Sequence, residues 1–470
     1  MNQRKTRRQV GITSSEYVSK ICDLLPSNEG RQSMIYWLIR AYGIDSACEY
    51  VIPIERSTPA DLKKFHDAKF VDVLLERRPN VDSDAINADE LLLGRNLRSF
   101  KDSSKTRKSV GSMAIQNIRD AIAQKVFNSD TDDSDPDSDS DSDNDEVGIS
   151  EDEKRQQRYS SHTLVSALDK YLDTFGLKYD CVVFPFLSDY VQLVAGSTIS
   201  TANYLIKNSK LKDVETQSVG INWYGGRHHC HKSKAAGFCY VNDIVLGINT
   251  LRTFYPRVFY LDLDLHHGDG VETAFKFSSK VVTCSVHRFD VGFYPGSGSK
   301  TEKGKYLNIP TKKGLSDKGL ENIIKSIIAP ILKDFSPSVV VLQLGSDGLA
   351  LDEHKMWNFT IRGFARNVMT IVDSLTCPIM ILGGGGYNNS ETAKFCTYMT
   401  NSLLNTPVAG FDVDEVENDS IPEHPSLDDY EKDGYKFWTN ENTLATKMAD
   451  ENDEEYLKEI ENRVIAEWFD

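Results

Sequence analysis

The 470-residue sequence has no apolar run near the ~18 to 20 residues that a membrane-spanning helix needs. Its start, MNQRKTRRQ, carries no hydrophobic export segment; Arg4, Lys5, Arg7 and Arg8 make residues 1–10 read as a short basic tail. Cysteines are few and scattered, eight in all with no C-x-x-C pair, so reduced thiols and no disulfide framework are expected. Reduced thiols suit the cytosol or the nucleus, and the localisation expected for the chain is the nucleus, with the cytoplasm as a second compartment. No surplus of basic residues exists, with 54 Lys and Arg against 70 Asp and Glu, so neither direct nucleic-acid binding nor a membrane partner is expected.

The net charge of −16 belongs to one segment. Residues 128–153 hold ten Asp and three Glu and no Lys or Arg; discounting them leaves a charge of −3. The whole stretch from about 79 to 158 is too poor in apolar residues to repay the cost of ordering, and reads as a mostly disordered acidic insertion in a domain spanning 11–470. One helix is expected within it, over 112–127, and Ser138, Ser140 and Ser142, each followed by Asp, could accept phosphate.

On either side of the insertion, order is legible. "SEYVSKICDLL", "RQSMIYWLIRAYGI" and "ADLKKFHDAKFVDVLLE" have helical apolar spacing. After Tyr159, β-branched runs (DCVVFPF, RVFYLDLDL, VVTCSV, SVVVLQLG, PIMILGGGGY) alternate with helical stretches at 195–209, 241–251, 318–333 and 360–374. This predicts an α/β fold with a central, mostly parallel sheet. "NDEEYLKEIENRVIAEW" predicts an amphipathic closing helix.

Four of the expected strands run into polar or glycine-rich sequence: "INWYGGRHHCHK", "YLDLDLHHGDGVE", "LQLGSDG" and "LGGGGYN". In parallel sheets, sites gather at such carboxyl ends. Alternation along the second puts Asp262, Asp264 and His266 on one strand face. Charges cannot stand unpaired in a core, and a metal would satisfy all three; His and carboxylate ligands suit Zn²⁺ with an open position, or Mn²⁺ or Fe²⁺. Six of the ten histidines lie between 228 and 287. His228 and His229 are candidates for a base near neutrality, with Asp262 and Asp269 as carboxylates to fix their tautomers. Asp347 could complete the metal shell, and Tyr387, after four glycines, could stabilise an oxyanion. The residues alone predict a metal-assisted hydrolase of undecided substrate.

Taken in order, these blocks resemble the zinc-dependent histone deacetylases of class I, of the fungal Hos type. "INWYGGRHHCHKSKAAGFCYVNDIVL", "YLDLDLHHGDGVETAF", "VLQLGSDGLALDEHKMWNFT" and "LGGGGYN" carry the likeness, which covers roughly 11–76 and 159–466. The resemblance implies one arginase/deacetylase-like domain with helices on both sheet faces, and hydrolysis of N6-acetyl-lysine to lysine and acetate. It implies one catalytic Zn²⁺ on Asp264, His266 and Asp347, and His229 as general base and acid. His228 would be its electrostatic partner, with Asp269 behind His229 and Asp262 behind His228, and Tyr387 would polarise the carbonyl. Gly237, Phe238 and Tyr294 would line the acyl-lysine tunnel, with Asp180 and His354 at its rim and Arg31 beside an acetate channel. A K⁺ site on Asp262, Asp264, His266, Ser285 and Val286 is implied too.

Departures from the family pattern bear on specificity. Tyr294 stands where Phe is usual, and His354 where Leu or Met is usual. The positions that hold an inositol phosphate in corepressor-bound relatives correspond to Asn28, Glu353 and Ser390, which carry no positive charge, so such an assembly is not expected. The expected partner is an acetylated histone tail or other chromosomal protein, a cohesin subunit among them. An amidohydrolase acting on a small substrate such as an acetylpolyamine, and a non-catalytic chromatin scaffold, are the competing readings.

Overall fold

A computed structural model describes residues 7–76, 170–211, 216–301, 306–408, 420–443 and 448–469. The chain divides into two compact units, Met1–Leu75 with Ser188–Asp470, and Glu76–Leu187. The expected helix at 112–127 and the acidic tract lie outside the described residues.

The first unit is built on one eight-stranded sheet, and every pairing in it is parallel. Its strands are β1 (Arg7–Thr13), β2 (Tyr50–Ile52), β3 (Thr216–Asn222), β4 (Val258–Asp262), β5 (Val281–Arg288), β6 (Tyr306–Thr311), β7 (Val339–Gln343) and β8 (Ile379–Leu382). They lie in the order β2-β1-β3-β8-β7-β4-β5-β6. Unbroken apolar runs such as VVVLQ are what a sheet buried on both faces requires. Alternate residues feed two cores. Phe259, Leu261, Val340 and Leu342 pack with the helices Arg31–Ala41, Ile361–Ser374, Asn389–Leu403 and Glu454–Phe469. Val258, Tyr260, Val339 and Val341 pack with the helices Leu187–Leu211, Asp243–Leu251 and Asp269–Phe275.

The structure corrects several expectations. Residues 7–10 are not tail but the start of β1, because Arg8 is buried, bonds Gln217 and pairs with Asp373. The run DCVVFPF is no strand: Tyr179–Cys181 forms a 3₁₀ turn, Pro185 has no N–H to give a ladder, and Phe186 has φ of 60°. "ADLKKFHDAKFVDVLLE" makes two helices, Pro59–Leu62 and Ala68–Leu75, instead of one. The helix expected at 318–333 is relieved by a π turn at Ile324–Ile328, just before Pro330, which cannot donate to the helical ladder.

Candidate active site

Four adjacent strands, β3, β8, β7 and β4, point their carboxyl ends at one place. β4 stops at Asp262, so Asp264 and His266 lie in irregular chain beyond it and not on a common strand face. Side chains there take over from ladder partners. The N–H of Asp264 donates to Asp262 Oδ1 (3.1 Å), that of His266 to Asp264 Oδ1 (3.0 Å), and that of Leu265 to Asp347 Oδ1 (3.0 Å). These bonds fold the segment back on itself and bring Asp347, in the loop that follows β7, against it.

Asp264, His266 and Asp347 are all buried and offer ligand atoms within 4.8 Å of one another. His266 Nδ1 lies 2.9 Å from Asp347 Oδ2 and 3.4 Å from Asp264 Oδ1. Burial opposes a charge on His266, yet the bonds to Asp264 and Asp347 outweigh it and raise the imidazole to about 10. Burial, then Asp264, raises Asp347 to about 6. The cluster draws in positive charge, and two hard oxygens with one imidazole nitrogen fit a divalent ion such as zinc. Gly385 is wedged between the carboxylates: a Cβ there would come within 2.3 Å of Asp347 Oδ2.

Two more imidazoles stand beside the cluster. His228 Nδ1 bonds Asp262 Oδ2 (2.9 Å), which also accepts the Tyr260 hydroxyl (2.6 Å). His229 Nδ1 bonds Asp269 Oδ1 (2.8 Å), and His231 Nε2 lies 3.3 Å from the other oxygen. The adjacent pair is driven apart electrostatically. Burial works against a charge on His228, but Asp262 and Asp264 prevail and raise it to about 9. Burial, then the charge on His228, pushes His229 down to about 3 against the help of Asp269. His229 is therefore a neutral imidazole whose Nδ1–H is committed to Asp269, leaving Nε2 as its acceptor. The opposed shifts give the two neighbouring rings different charges, a positive His228 beside a neutral His229.

The walls come from loops. The His229 ring meets Tyr294 edge-on, centroids 4.9 Å apart at 84°. Gly237 (φ 53°) makes room for both, since a Cβ would lie 2.4 Å from His229 Cδ2 and 2.8 Å from the Tyr294 hydroxyl. Phe238 lies 5.9 Å from Tyr387, and His354 sits between Tyr387 (4.6 Å) and His266 (5.2 Å). Burial, then Asp347 and Asp264, holds the Tyr387 phenol well above its ordinary pKa, so it stays a hydrogen-bond donor. Arg31 is buried beneath the glycine turn and donates from Nη1 to the carbonyls of Gly384 (3.1 Å) and Gly386 (2.9 Å). Ser285 faces Asp262 across the β4–β5 ladder, next to buried Val286. Of the inositol-phosphate positions, Asn28 donates to Gly386 O (2.9 Å) and Ser390 bonds Asp433, while Glu353 is exposed. Asp180 belongs to the second unit, where it is exposed in the 3₁₀ turn.

Two supports of the site carried little or no signal in the sequence. Gln343 donates to Asp264 Oδ2 (2.9 Å), and its only mark was a lone amide ending an apolar strand. Asp352 accepts the N–H of Tyr387 (2.7 Å) and bonds His354 Nδ1 (3.0 Å); nothing in "LALDEHK" singled it out.

Residues 25–403 match the family model of the histone deacetylase domain. The chain belongs to the histone deacetylase family. It is 31% identical to "Histone deacetylase HOS1" of Saccharomyces cerevisiae, covering 93% of this chain and 94% of that protein. It is 38% identical to "Histone deacetylase B" of Dictyostelium discoideum (64% and 69% covered) and 37% identical to "Histone deacetylase 8" of Xenopus laevis (61% and 83% covered). The parallel sheet agrees with the arginase/deacetylase fold expected from the resemblance. This deacetylase is a hydrolase of acetyl-lysine in proteins, from a zinc-dependent family, and its Asp264, His266 and Asp347 form a buried cluster suited to the metal.

Proposed function

We propose that the protein hydrolyses N6-acetyl-lysine on chromosomal proteins in the nucleus, histone tails or a cohesin subunit, releasing lysine and acetate. The observation that carries the residue assignments is the pair His228 and His229, each bonded through Nδ1 to its own carboxylate beside the Asp–His–Asp cluster. Zinc held by Asp264, His266 and Asp347 would supply Lewis acidity, polarising the acetyl carbonyl and acidifying water. His229 Nε2 takes the proton from the attacking water and returns it to the leaving lysine nitrogen. Asp269 keeps His229 in the tautomer that leaves Nε2 open, and charged His228, held by Asp262, stabilises the negative charge that develops. The Tyr387 hydroxyl donates to the oxyanion. Gly237, Phe238 and Tyr294 wall the acyl-lysine tunnel with His354 at its rim, Arg31 attends the departing acetate, and a substrate-holding role for Asp180 is carried over from the family resemblance alone.

A K⁺ ion on Asp262, Asp264, His266, Ser285 and Val286 completes the proposal. Neutral or acidic Asn28, Glu353 and Ser390 argue against an inositol-phosphate-dependent corepressor assembly; a tight complex with inositol hexakisphosphate in calorimetry would refute that part. The main test is acetate release from an acetylated histone peptide together with metal analysis. Tyr387→Phe should cut turnover by about 10² to 10³-fold with zinc still bound. Unchanged turnover would remove Tyr387 from its role.

A further inference from the structure

The backbone at Tyr387 is held by Asp352 and runs straight into the cap of the following helix. Its own N–H and that of Asn388 both donate to Asp352 Oδ2, at 2.7 and 3.3 Å. Asn388 then caps the helix Asn389–Leu403, its Oδ1 accepting from the N–H of Glu391 (3.2 Å). The aim of the phenol is thereby tied to the first turn of that helix.

That turn is gripped by the C-terminal part of the chain. Lys394 is wholly buried, and its Nζ donates to Asp433 Oδ2 (2.7 Å) and to Glu391 Oε1 (3.5 Å). Ser390 Oγ bonds the same Asp433 oxygen. Asn442 Nδ2 donates to Glu391 Oε1 (3.1 Å) and to Phe437 O (3.0 Å). A buried ammonium between two carboxylates is a poor way to gain stability, because the cost of desolvating the charges consumes most of their attraction. Its effect is to fix geometry, since every member has a defined partner. The gripping segment is itself anchored by apolar contacts: buried Tyr430, Phe437 and Trp438, with Trp438 against Tyr398 at 5.4 Å and Phe437 against Tyr42 at 5.7 Å.

We infer that Asp433 and Asn442 are positioning residues for Tyr387, holding the first turn of the helix Asn389–Leu403 and through it the phenol that faces the substrate carbonyl. The inference rests on the proposed role of Tyr387. The full-length zinc enzyme would be assayed on an acetylated peptide as wild type, Asp433→Asn, Tyr387→Phe and the double variant. Asp433→Asn should lower kcat by about tenfold with KM within about twofold and bound zinc unchanged, the scale of a small misplacement of a catalytic group. In the Tyr387→Phe background the same change should lower kcat no further. Additive losses, or an unchanged kcat in folded Asp433→Asn, would overturn the inference. If Tyr387→Phe alone left kcat intact, the failure would lie in the role of Tyr387 instead. Should Asp433→Asn not fold, Asn442→Ala and Ser390→Ala carry the same cycle, since each leaves Lys394 its two carboxylates.

Discussion

Replacing Gln343 by Leu should loosen the metal before it harms the fold. The side chain is fully buried and makes three directed contacts: Nε2 to Asp264 Oδ2 (2.9 Å) and to Gly226 O (3.3 Å), and Oε1 from the N–H of Gly345 (2.9 Å). Leu has a similar volume, so no large cavity opens. It strands the Gly226 carbonyl and the Gly345 N–H, each costing about 1 to 3 kcal/mol when buried without a partner. The summed loss of about 2 to 6 kcal/mol should appear as a lower urea midpoint. Asp264 also loses one of the donors that orient its Oδ2, leaving the Gly385 N–H (2.9 Å). Removing such a support typically costs about 10- to 100-fold in metal affinity. Competition with a fluorescent zinc chelator measures this directly, and unfolding in excess zinc and in excess chelator separates the two effects. The stability gap between zinc and chelator should shrink by about 1.4 to 2.7 kcal/mol, the free-energy equivalent of that affinity loss. An unchanged gap with a lowered midpoint would refute the reasoning, because Gln343 would then support the sheet and not the ligand.

Gly237→Ala should cut kcat/KM by at least about tenfold in peptide assays, since the new Cβ, at φ 53°, would lie 2.4 Å from the His229 ring; retained activity would mean that the loop yields. His66 gives a pH signature. Its Nδ1 faces Lys232 O (3.2 Å) while Nε2 accepts from the N–H of Asn242 (3.0 Å), so the neutral ring is required, and burial lowers its pKa to about 4. The unfolded ring, near 6.5, binds more protons between pH 4 and 6.5, so stability should rise with pH across that window and fall by about 3 kcal/mol on acidification through it. Urea midpoints from pH 7 to 4.5 should show this slope in the wild type and a shallower one in His66→Gln.

The fold and the centre of the site were legible for a common reason. A parallel sheet demands apolar runs, so Val339 to Leu342 and Ile379 to Leu382 announced themselves, and the polar residues just beyond them were conspicuous by contrast. Strands at the sheet edge were harder to see: β2 has only three residues, and β6 contains Asn308 and Pro310. The paired imidazoles were readable as a group because two adjacent histidines at a strand end are costly unless used. Asp352 was invisible because its partners, Tyr387 and His354, meet it only through a loop fold that has no periodicity. Nor did spacing reveal the grip of Asp433 and Asn442 on Lys394 and Glu391, which joins positions 39 and 51 residues apart.

The strand order has a consequence for how the chain becomes an enzyme. β8, at residues 379–382, is inserted between β3 and β7 and pairs with residues some 160 and 40 positions earlier. During synthesis β4, β5 and β7 emerge well before it, and β3 has no neighbour on the catalytic side until β8 arrives. Such distant pairing is slow to form, because the loop entropy is lost before the contacts that repay it are made. Gly385, which donates to Asp264, and Tyr387 arrive in the turn that follows this late strand. A nascent chain is therefore sheet-forming long before it can present a finished metal pocket, and a chain released short of β8 leaves the ribosome with two aspartates and a histidine but no floor beneath them.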